Sequence, residues 1–316
     1  MPAVAKIEEQ QLQNVGFHRI LLATDFSEAS QRAFAYAIAI AHRYGSTVSI
    51  VHALTPEPRE PIPLEPLPHE LDRQRLEAER QMDALAEDVQ ATGIAHRLVL
   101  EPGPVWDVLS TVIQRENIDL LVVGTHGRGG VKKLVLGSVA EKVLRLAPCP
   151  VLTIGKRVVP GEADFRSILF ATDFGPAAAK ALSFAVSLAE EYRSKLIFLH
   201  MVPPMPVLEM GSGAYGPAFY AAEDLTRWQG TARRESAKRL RELLPPEAKL
   251  VQEPEYVVGI DFVPEGVLGA AKSHNVDLIV MGANRTSAAG VVAHVPWAVT
   301  HTLICEATCP VLTVAV

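Results

Sequence analysis

The chain has 316 residues, a formal net charge of −6 and an isoelectric point near 5.9. This length suits two domains of about 150 residues, each able to bury its own core, and the acidic balance argues against a nucleic acid as main partner. The N-terminus has no apolar core of signal-peptide length, and no apolar run approaches the roughly 18 residues of a membrane span. We therefore expect a cytoplasmic protein without a membrane span.

Strands and helices alternate in the first half of the chain. The predicted strands are Arg19–Thr24, Thr47–His52, Ala95–Leu100, Asp119–Gly124 and Pro150–Ile154, and the predicted helices are Ser27–Tyr44, His69–Thr92, Val105–Glu116 and Ser138–Leu146. Residues 55–68 contain six prolines, which indicates a connector; a ligand for a partner that binds polyproline helices is the alternative. Nearly continuous apolar strands between helices favour an open parallel sheet covered on both faces.

The second half repeats the first. ILLATDF at 20–26 returns as ILFATDF at 168–174, Asp119–Gly124 as Asp277–Gly282, and CPVLT at 149–153 returns at 309–313. This predicts two copies of one domain, at 1–157 and 165–316, with the polar stretch Lys156–Asp164 as linker. In the second copy we expect strands near 167–172, 195–200, 248–252, 277–282 and 310–315, and a long helix near 218–244.

A candidate anion site follows the fourth strand of the first copy. In doubly wound sheets, ligands bind beyond the carboxyl ends of the strands, where the strand order reverses. Gly124 and Gly127 would let main-chain N–H groups approach a phosphate. Gly137 and Ser138 follow after nine intervening residues, where a helix start offers unpaired N–H groups and the positive end of its dipole. Arg128, in the same loop, adds a positive charge.

Each of these residues also has a plainer interpretation. Ser138 and Glu141 have the spacing of a capping box. Asp25, just past the first strand, could cap the next helix instead of facing a ligand. His126 could meet a phosphate or could simply be an exposed loop residue.

The remaining histidines and cysteines of interest indicate structural roles. His52 and His200 end strands at matching places in the two copies, so we interpret them as structural. The three cysteines, Cys149, Cys305 and Cys309, form no CxxC pair and are interpreted as buried thiols in a reducing cytoplasm, with redox or metal use as the alternative.

Taken together, these motifs resemble the universal stress protein family in its tandem two-domain form. The resemblance is carried by the Ala-Thr-Asp-Phe turn, the Asp-Leu-Leu-Val-Val-Gly strand, the glycine pattern and the closing Cys-Pro-Val-Leu-Thr. It implies a Rossmann-like, adenine-nucleotide α-hydrolase-like domain in each half, with a five-stranded parallel sheet and ATP, with or without Mg²⁺, bound at the switch point. The candidate binding residues are Asp25 and Val51 at the adenine end, and Gly124, His126, Gly127, Arg128, Gly137, Ser138 and Val139 around the ribose and phosphates.

The second copy departs from the pattern. Arg285 stands at the second glycine position, and Val295 or Trp297, depending on the register, stands where the third glycine is expected. Trp297 and Pro296 would fill the cleft where the phosphates belong. We therefore expect adenine nucleotide in the first copy only.

The closing strands Val151–Ile154 and Val311–Val314 are short apolar edges, and the resemblance implies that they pair and join the two halves as a pseudo-dimer. The predicted role is a stress-response regulator or nucleotide sensor that acts through binding, without enzymatic turnover. A slow Mg-dependent ATPase and a protein-interaction module without nucleotide are the alternatives. A homodimer and an unknown protein partner remain open.

Overall fold

The computed structural model describes residues 15–55, 68–125, 136–158, 163–204, 222–283 and 294–316. Within them, ten strands alternate with eight helices. The first copy contains β1 Arg19–Ala23, α1 Glu28–Tyr44, β2 Thr47–Leu54, α2 Pro68–Thr92, β3 His96–Pro102, α3 Val105–Glu116, β4 Leu120–Gly124, α4 Ser138–Leu146 and β5 Val151–Ile154. The second contains β6 Ser167–Ala171, α5 Pro176–Tyr192, β7 Lys195–Val202, α6 Ala222–Glu242, β8 Glu255–Ile260, α7 Val263–Ser273, β9 Leu278–Ala283, α8 His294–Glu306 and β10 Val311–Ala315.

All ten strands form one sheet in the order β3-β2-β1-β4-β5-β10-β9-β6-β7-β8. Within each copy the strands are parallel, which confirms the predicted α/β class with two five-stranded parallel sheets. Residues Val151–Thr153 of β5 pair with Val311–Thr313 of β10 in antiparallel fashion, as predicted for the closing strands, and the register is centred on Leu152 opposite Leu312. Neither copy therefore leaves its closing strand as an open edge.

Most element boundaries match the prediction to within two residues, but the third strand of the second copy does not. The sequence predicts it at 248–252, whereas β8 spans Glu255–Ile260. The predicted segment is irregular instead and follows a turn in which the Ala248 N–H donates to the Pro245 carbonyl at 3.1 Å; Val251 is 55% exposed. Prolines at 245 and 246 bend the chain there, and the true strand begins only after Pro254.

The helices cover both faces of the sheet and build two apolar cores. Helices α1, α2, α5 and α6 pack on one face, and α3, α4, α7 and α8 pack on the other. Alternation along each strand separates the two sets, because Ile20 and Leu22 join the first core while Leu21 joins the second. Each core contains residues of both copies, so the packing is continuous across the β5–β10 seam. Within the described ranges, no helix is long and apolar enough to cross a membrane.

Aromatic side chains close the seam on the face of α1 and α5. Phe17 of the first copy stacks on Phe184 of the second, with ring centroids 6.2 Å apart. The equivalent pair with the copies exchanged, Phe165 on Tyr36, stacks at 6.3 Å. The two stacks match because β5 and β10 pair in antiparallel fashion. A contact from the first copy to the second is therefore repeated, with equivalent residues, from the second copy to the first.

An ion pair extends the same seam towards solvent at the ends of α1 and α5. The Arg43 Nε donates to Glu191 Oε1 at 2.9 Å, and the guanidinium lies 5.0 Å from the centre of the Tyr192 ring. Tyr44 and Tyr192 face each other at 6.3 Å, and burial raises the pKa of both hydroxyls. Both tyrosines therefore stay neutral at physiological pH.

Two glycines allow the first helix of each copy to approach the sheet. A Cβ on Gly124, at the end of β4, would lie 2.8 Å from the Ala29 main chain in α1. A Cβ on Gly282, the counterpart in β9, would lie 2.3 Å from the main chain of Ala177 and Ala178 in α5. Real Cβ atoms do not approach main chain so closely, so both positions require glycine for packing.

This packing gives a matched pair of substitutions. Replacing Gly282 by Ala should lower the free energy of unfolding by about 2 kcal/mol or more, because α5 must move away from the sheet. Replacing Gly269 by Ala, in the exposed middle of α7 where a Cβ meets nothing within 4 Å, should instead raise it by about 0.5–1 kcal/mol through helix propensity. Urea unfolding measures both, and equal effects of the two substitutions would contradict the packing role of Gly282.

Candidate functional site

The candidate site lies at the carboxyl ends of β1 and β4, which are neighbours in the sheet. The chain leaves β1 for α1 on one face and leaves β4 for α4 on the other. The strand order reverses at this point, which is the position that ligands use in open α/β sheets. The fold thus brings together Asp25, beyond β1, and Gly124, at the end of β4, as the sequence predicts.

The turn after β1 is fixed by its own side chains. Thr24 Oγ1 accepts from the Phe26 N–H at 3.0 Å, and Asp25 Oδ1 accepts from the Ser27 N–H at 3.1 Å. Phe26 takes the left-handed conformation, with φ of 61°. The cap of α1 is Ser27, whose side chain accepts from the Ser30 N–H, so the alternative in which Asp25 caps the helix is wrong.

The second copy forms the same turn. Asp173 Oδ1 accepts from the Gly175 N–H at 2.8 Å, and Phe174 also has φ of 61°. Because the turn is shared by the copy with the intact glycine pattern and the copy without it, Asp25 alone does not identify a nucleotide site.

The two strand-end histidines support these turns. His52 Nδ1 lies 2.7 Å from the Thr24 carbonyl, and its ring packs on Phe26 at 4.4 Å. His200 makes the equivalent contact with Thr172 at 2.8 Å, and burial lowers the pKa of its imidazole. A carbonyl partner requires Nδ1 to carry the proton. The geometry agrees with the structural interpretation of both residues.

Val51 lies beside the turn of the first copy and belongs to the sheet. Its carbonyl accepts from the Thr24 N–H at 3.0 Å, and its side chain is buried in the core under α3 and α4. Its side chain is therefore not placed to contribute to a ligand site, and a contribution of its main chain stays a prediction.

Helix α4 presents its first turn at the same edge. The N-cap is Gly137, whose N–H donates to the Thr125 carbonyl at 2.9 Å and whose position makes no side-chain cap bond. Ser138 is the first helical residue, so the capping-box interpretation of Ser138 and Glu141 is wrong. The N–H groups of Ser138, Val139 and Ala140 precede the first intrahelical bond, which is the donation from Glu141 to Gly137.

Those three donors make an anion site possible. Ser138 and Val139 are exposed, the N-cap carries no side chain, and the helix dipole places its positive end there. A Cβ at Gly137 would lie 3.2 Å from the Thr125 oxygen, so a larger residue would crowd the bond that holds the cap in place.

The second copy does not present its helix in this way. Helices α4 and α8 end at equivalent residues, Leu146 and Glu306, but α8 has 13 residues and α4 has 9. The additional turn lies at the start of α8, so Ala298, the counterpart of Ser138 in the register of the closing strands, lies one turn inside the helix. Its N–H is therefore used within the helix. The sequence indicated a degenerate motif but not this shift of the helix start.

Trp297 occupies the position equivalent to Gly137, and its described contact is with the first copy. Its ring lies 4.2 Å from the guanidinium carbon of Arg145, in α4 of the first copy. The described contact therefore crosses the seam, and the expectation that Trp297 fills the cleft of its own copy stays a prediction. The Pro296 and Val295 side chains and Arg285 lie outside the described residues.

The loop between Thr125 and Gly137 contains the remaining predicted residues. His126, Gly127 and Arg128 lie outside the described residues, but the hydrogen bond between Gly137 and Thr125 brings both ends of the loop to the site. In the part of the chain that the structure describes, no group of three or more His, Cys, Asp or Glu side chains is arranged to hold a metal ion.

The three cysteines are buried and free, as the sequence predicts. Burial raises the pKa of Cys305, and it raises the pKa of Cys309 to about 12. Neither thiol is therefore ionised appreciably at physiological pH, which does not favour a reactive role.

Comparison with known proteins identifies the family of the chain. The model of the "Universal stress protein family" matches residues 16–155 and 164–315. A universal stress protein of Thermus aquaticus, encoded beside a sulfhydrylase gene, is 40% identical over 143 residues, covering 44% of this chain and 98% of its own. Universal stress protein MJ0531 of Methanocaldococcus jannaschii is 30% identical over 145 residues, covering 44% and 83%.

A solved structure shares the fold over the whole length. The universal stress protein of Archaeoglobus fulgidus superposes with a TM-score of 0.64 at 20% identity, covering 96% of this chain and 98% of its own. With two family matches that together span most of the sequence, the chain belongs to the universal stress protein family and carries two copies of its domain.

Proposed function

We propose that the protein binds ATP in its first copy and acts through that binding as a stress-response regulator, while the second copy binds no nucleotide at the equivalent place. The observation that carries the proposal is the start of α4. An N-cap without a side chain and three unpaired main-chain N–H groups face the carboxyl ends of β1 and β4.

The described residues fit a nucleotide in two respects. Ser138, Val139 and Ala140 offer N–H donors of the kind that hold phosphate oxygens at helix starts. The Asp25 turn follows β1, the neighbour of β4, and the Val51 carbonyl accepts from the Thr24 N–H of that turn; the family resemblance places adenine there. Gly127, His126 and Arg128 would complete the phosphate side from the loop.

Gly124 takes part indirectly. Its lack of a side chain lets α1 pack against β4, so it sets the distance between the two sides of the site. The same packing explains why Gly282 is present in the second copy although the rest of the glycine pattern is lost.

Binding alone can transmit a signal. ATP brings a polyanion to the positive end of α4 and would stabilise the folded form by mass action. The chain's own residues would bind and orient it, and the loop from 126 to 135 would carry the change to a protein partner. Free, buried thiols suit a reducing compartment, and we propose the cytoplasm; a homodimer also remains a prediction.

Calorimetric titration of nucleotide-stripped protein tests the proposal. We expect saturation at one ATP per chain. The N–H groups that α4 leaves unpaired at its start have counterparts in α8 that lie one turn inside the helix. Saturation at two would contradict the assignment to one copy, and absence of heat with unchanged melting would favour the interaction module. Release of phosphate in the presence of Mg²⁺ would favour the slow ATPase.

A proline substitution isolates the main-chain donor. Proline is tolerated at the first helical position, and Gly137 already has the extended conformation, ψ of 144°, that proline requires before it. Ser138→Pro should therefore leave the unfolding temperature nearly unchanged but weaken ATP binding about tenfold or more, the value of a charge-assisted hydrogen bond.

Ser138→Ala is the matched control, since it removes the hydroxyl and keeps the N–H. It should weaken binding less than Ser138→Pro does. If the two variants bind ATP equally well, the N–H of residue 138 does not hold a phosphate.

A further inference from the structure

The seam between the copies has a pseudo-two-fold axis, and residues at that axis meet their own equivalents. In the sheet, Leu152 lies opposite Leu312. On the face of α1 and α5, Tyr44 faces Tyr192 with ring centroids 6.3 Å apart. The members of each pair hold the same place in the two copies, since CPVLT recurs at 309–313 and α1 and α5 both have 17 residues. If two identical copies joined by the same seam, each residue at the axis would therefore meet itself.

One pair of equivalents at the axis carries opposite charges. Arg43 and Glu191 directly precede Tyr44 and Tyr192, so they hold the same place in α1 and α5. The Arg43 Nε donates to Glu191 Oε1 at 2.9 Å, and a second nitrogen of the guanidinium donates to the Glu191 main-chain carbonyl. Both side chains are 42% exposed. The contact is therefore sensitive to the sign of its charges, although water and salt screen it in part.

The sign of these charges distinguishes the possible partners of each copy. Two first copies joined by the same seam would bring Arg43 against a second Arg43, and two second copies would bring Glu191 against a second Glu191. Like charges in this place would lose the ion pair and repel each other. Opposite charges meet at the axis when a first copy joins a second copy.

Another contact, away from the axis, disfavours the joining of two first copies. The main-chain N–H of Val15 donates to the Ser187 hydroxyl across the seam at 3.1 Å, and Ser187 is 5% exposed. The equivalent of Ser187 in the first copy is Ala39, whose side chain has no acceptor. In a pair of first copies each Val15 N–H would face Ala39 and lose its acceptor, which is unfavourable for a partly buried group.

We propose that Arg43 with Glu191, supported by Ser187, makes the seam selective. The first copy fits a second copy as its partner, and the joining of two first copies or of two second copies is disfavoured. The partner that the first copy fits is thus a copy with an anion at the position of Glu191 and a hydroxyl at that of Ser187. The inference does not depend on nucleotide binding.

The full chain can imitate the disfavoured contacts. Glu191→Arg brings two guanidinium groups together, as in a pair of first copies, and Arg43→Glu brings two carboxylates together, as in a pair of second copies. The double variant with both substitutions exchanges the charges and keeps them opposite. Because the axis relates the two positions, the guanidinium then at position 191 can reach the main-chain carbonyl of residue 43 in the same way.

Urea unfolding at low ionic strength compares these variants with the parent. We expect each single reversal to lower the equilibrium constant for folding about five- to tenfold, through a lost ion pair and a new repulsion at a half-exposed contact. The double variant should recover to within about threefold of the parent, and added salt should reduce the differences. Since the chain has a net charge of −6, an effect of net charge alone would shift the two single variants in opposite directions.

Ser187→Ala imitates the contact that a pair of first copies would have at Val15. Hydrogen exchange of the Val15 amide, measured by NMR, should become about three- to tenfold faster, the value of one hydrogen bond. Ser236→Ala is the control, because it removes another buried hydroxyl of the second copy, in α6, and it should leave exchange at Val15 unchanged.

Stability of Glu191→Arg equal to that of the parent would overturn the inference, as would a double variant no more stable than the single variants. If a single reversal prevents folding, the double variant decides: recovery of folding supports the selective role of the charges, and continued failure contradicts it. Unchanged exchange at Val15 in Ser187→Ala would overturn the part assigned to Ser187.

Discussion

The antiparallel pairing of β5 with β10 is the constraint on which the rest of the structure depends. Each strand would otherwise be an apolar edge with unpaired main-chain groups. Pairing them merges two five-stranded sheets into one and centres the junction on Leu152 and Leu312. Thr153 and Thr313 reinforce it, since the hydroxyl of each donates to a carbonyl of the opposite strand, at 3.0 and 3.3 Å.

The same pairing determines what lies on either face of the junction. On one face it brings α1 against α5, where the reciprocal stacks of Phe17 with Phe184 and Phe165 with Tyr36 form. On the other it brings α4 beside α8. Equivalent helices therefore run in opposite directions where they meet. A residue that differs between the copies at the start of one helix thus contacts the end of the other helix. The replacement of a glycine by Trp297 changes the surroundings of Arg145 in this way.

The order of elements could be predicted because it depends on local signals. Apolar strands, helical spacing and the repeat of CPVLT are present in short stretches of sequence, and the edge character of the closing strands follows from them. The third strand of the second copy could not be placed, because 248–252 (AKLVQ) and Glu255–Ile260 (EYVVGI) both contain a short apolar stretch. Pairing with β7, where Met201 lies opposite Gly259, selects the second, and that contact is tertiary.

The candidate site was predicted in its location but not in its details. Ser138 and Glu141 match a capping box, yet the bond from Gly137 to Thr125 moves the cap one residue earlier. The glycine at 124 suggested approach of a phosphate, whereas the structure gives it a packing reason against Ala29 that no local pattern reveals. The earlier start of α8 and the contact of Trp297 with Arg145 depend on how the copies meet, and no single copy contains that information.

The central claim is that the start of α4 holds the phosphates of ATP and that the equivalent part of α8 does not. Main-chain amide shifts of the full chain during ATP titration test it most directly. The account predicts large shifts at Ser138, Val139 and Ala140, and none of comparable size at their counterparts Ala298, Val299 and Thr300. Equal shifts in the two sets, or shifts at α8 alone, would contradict it.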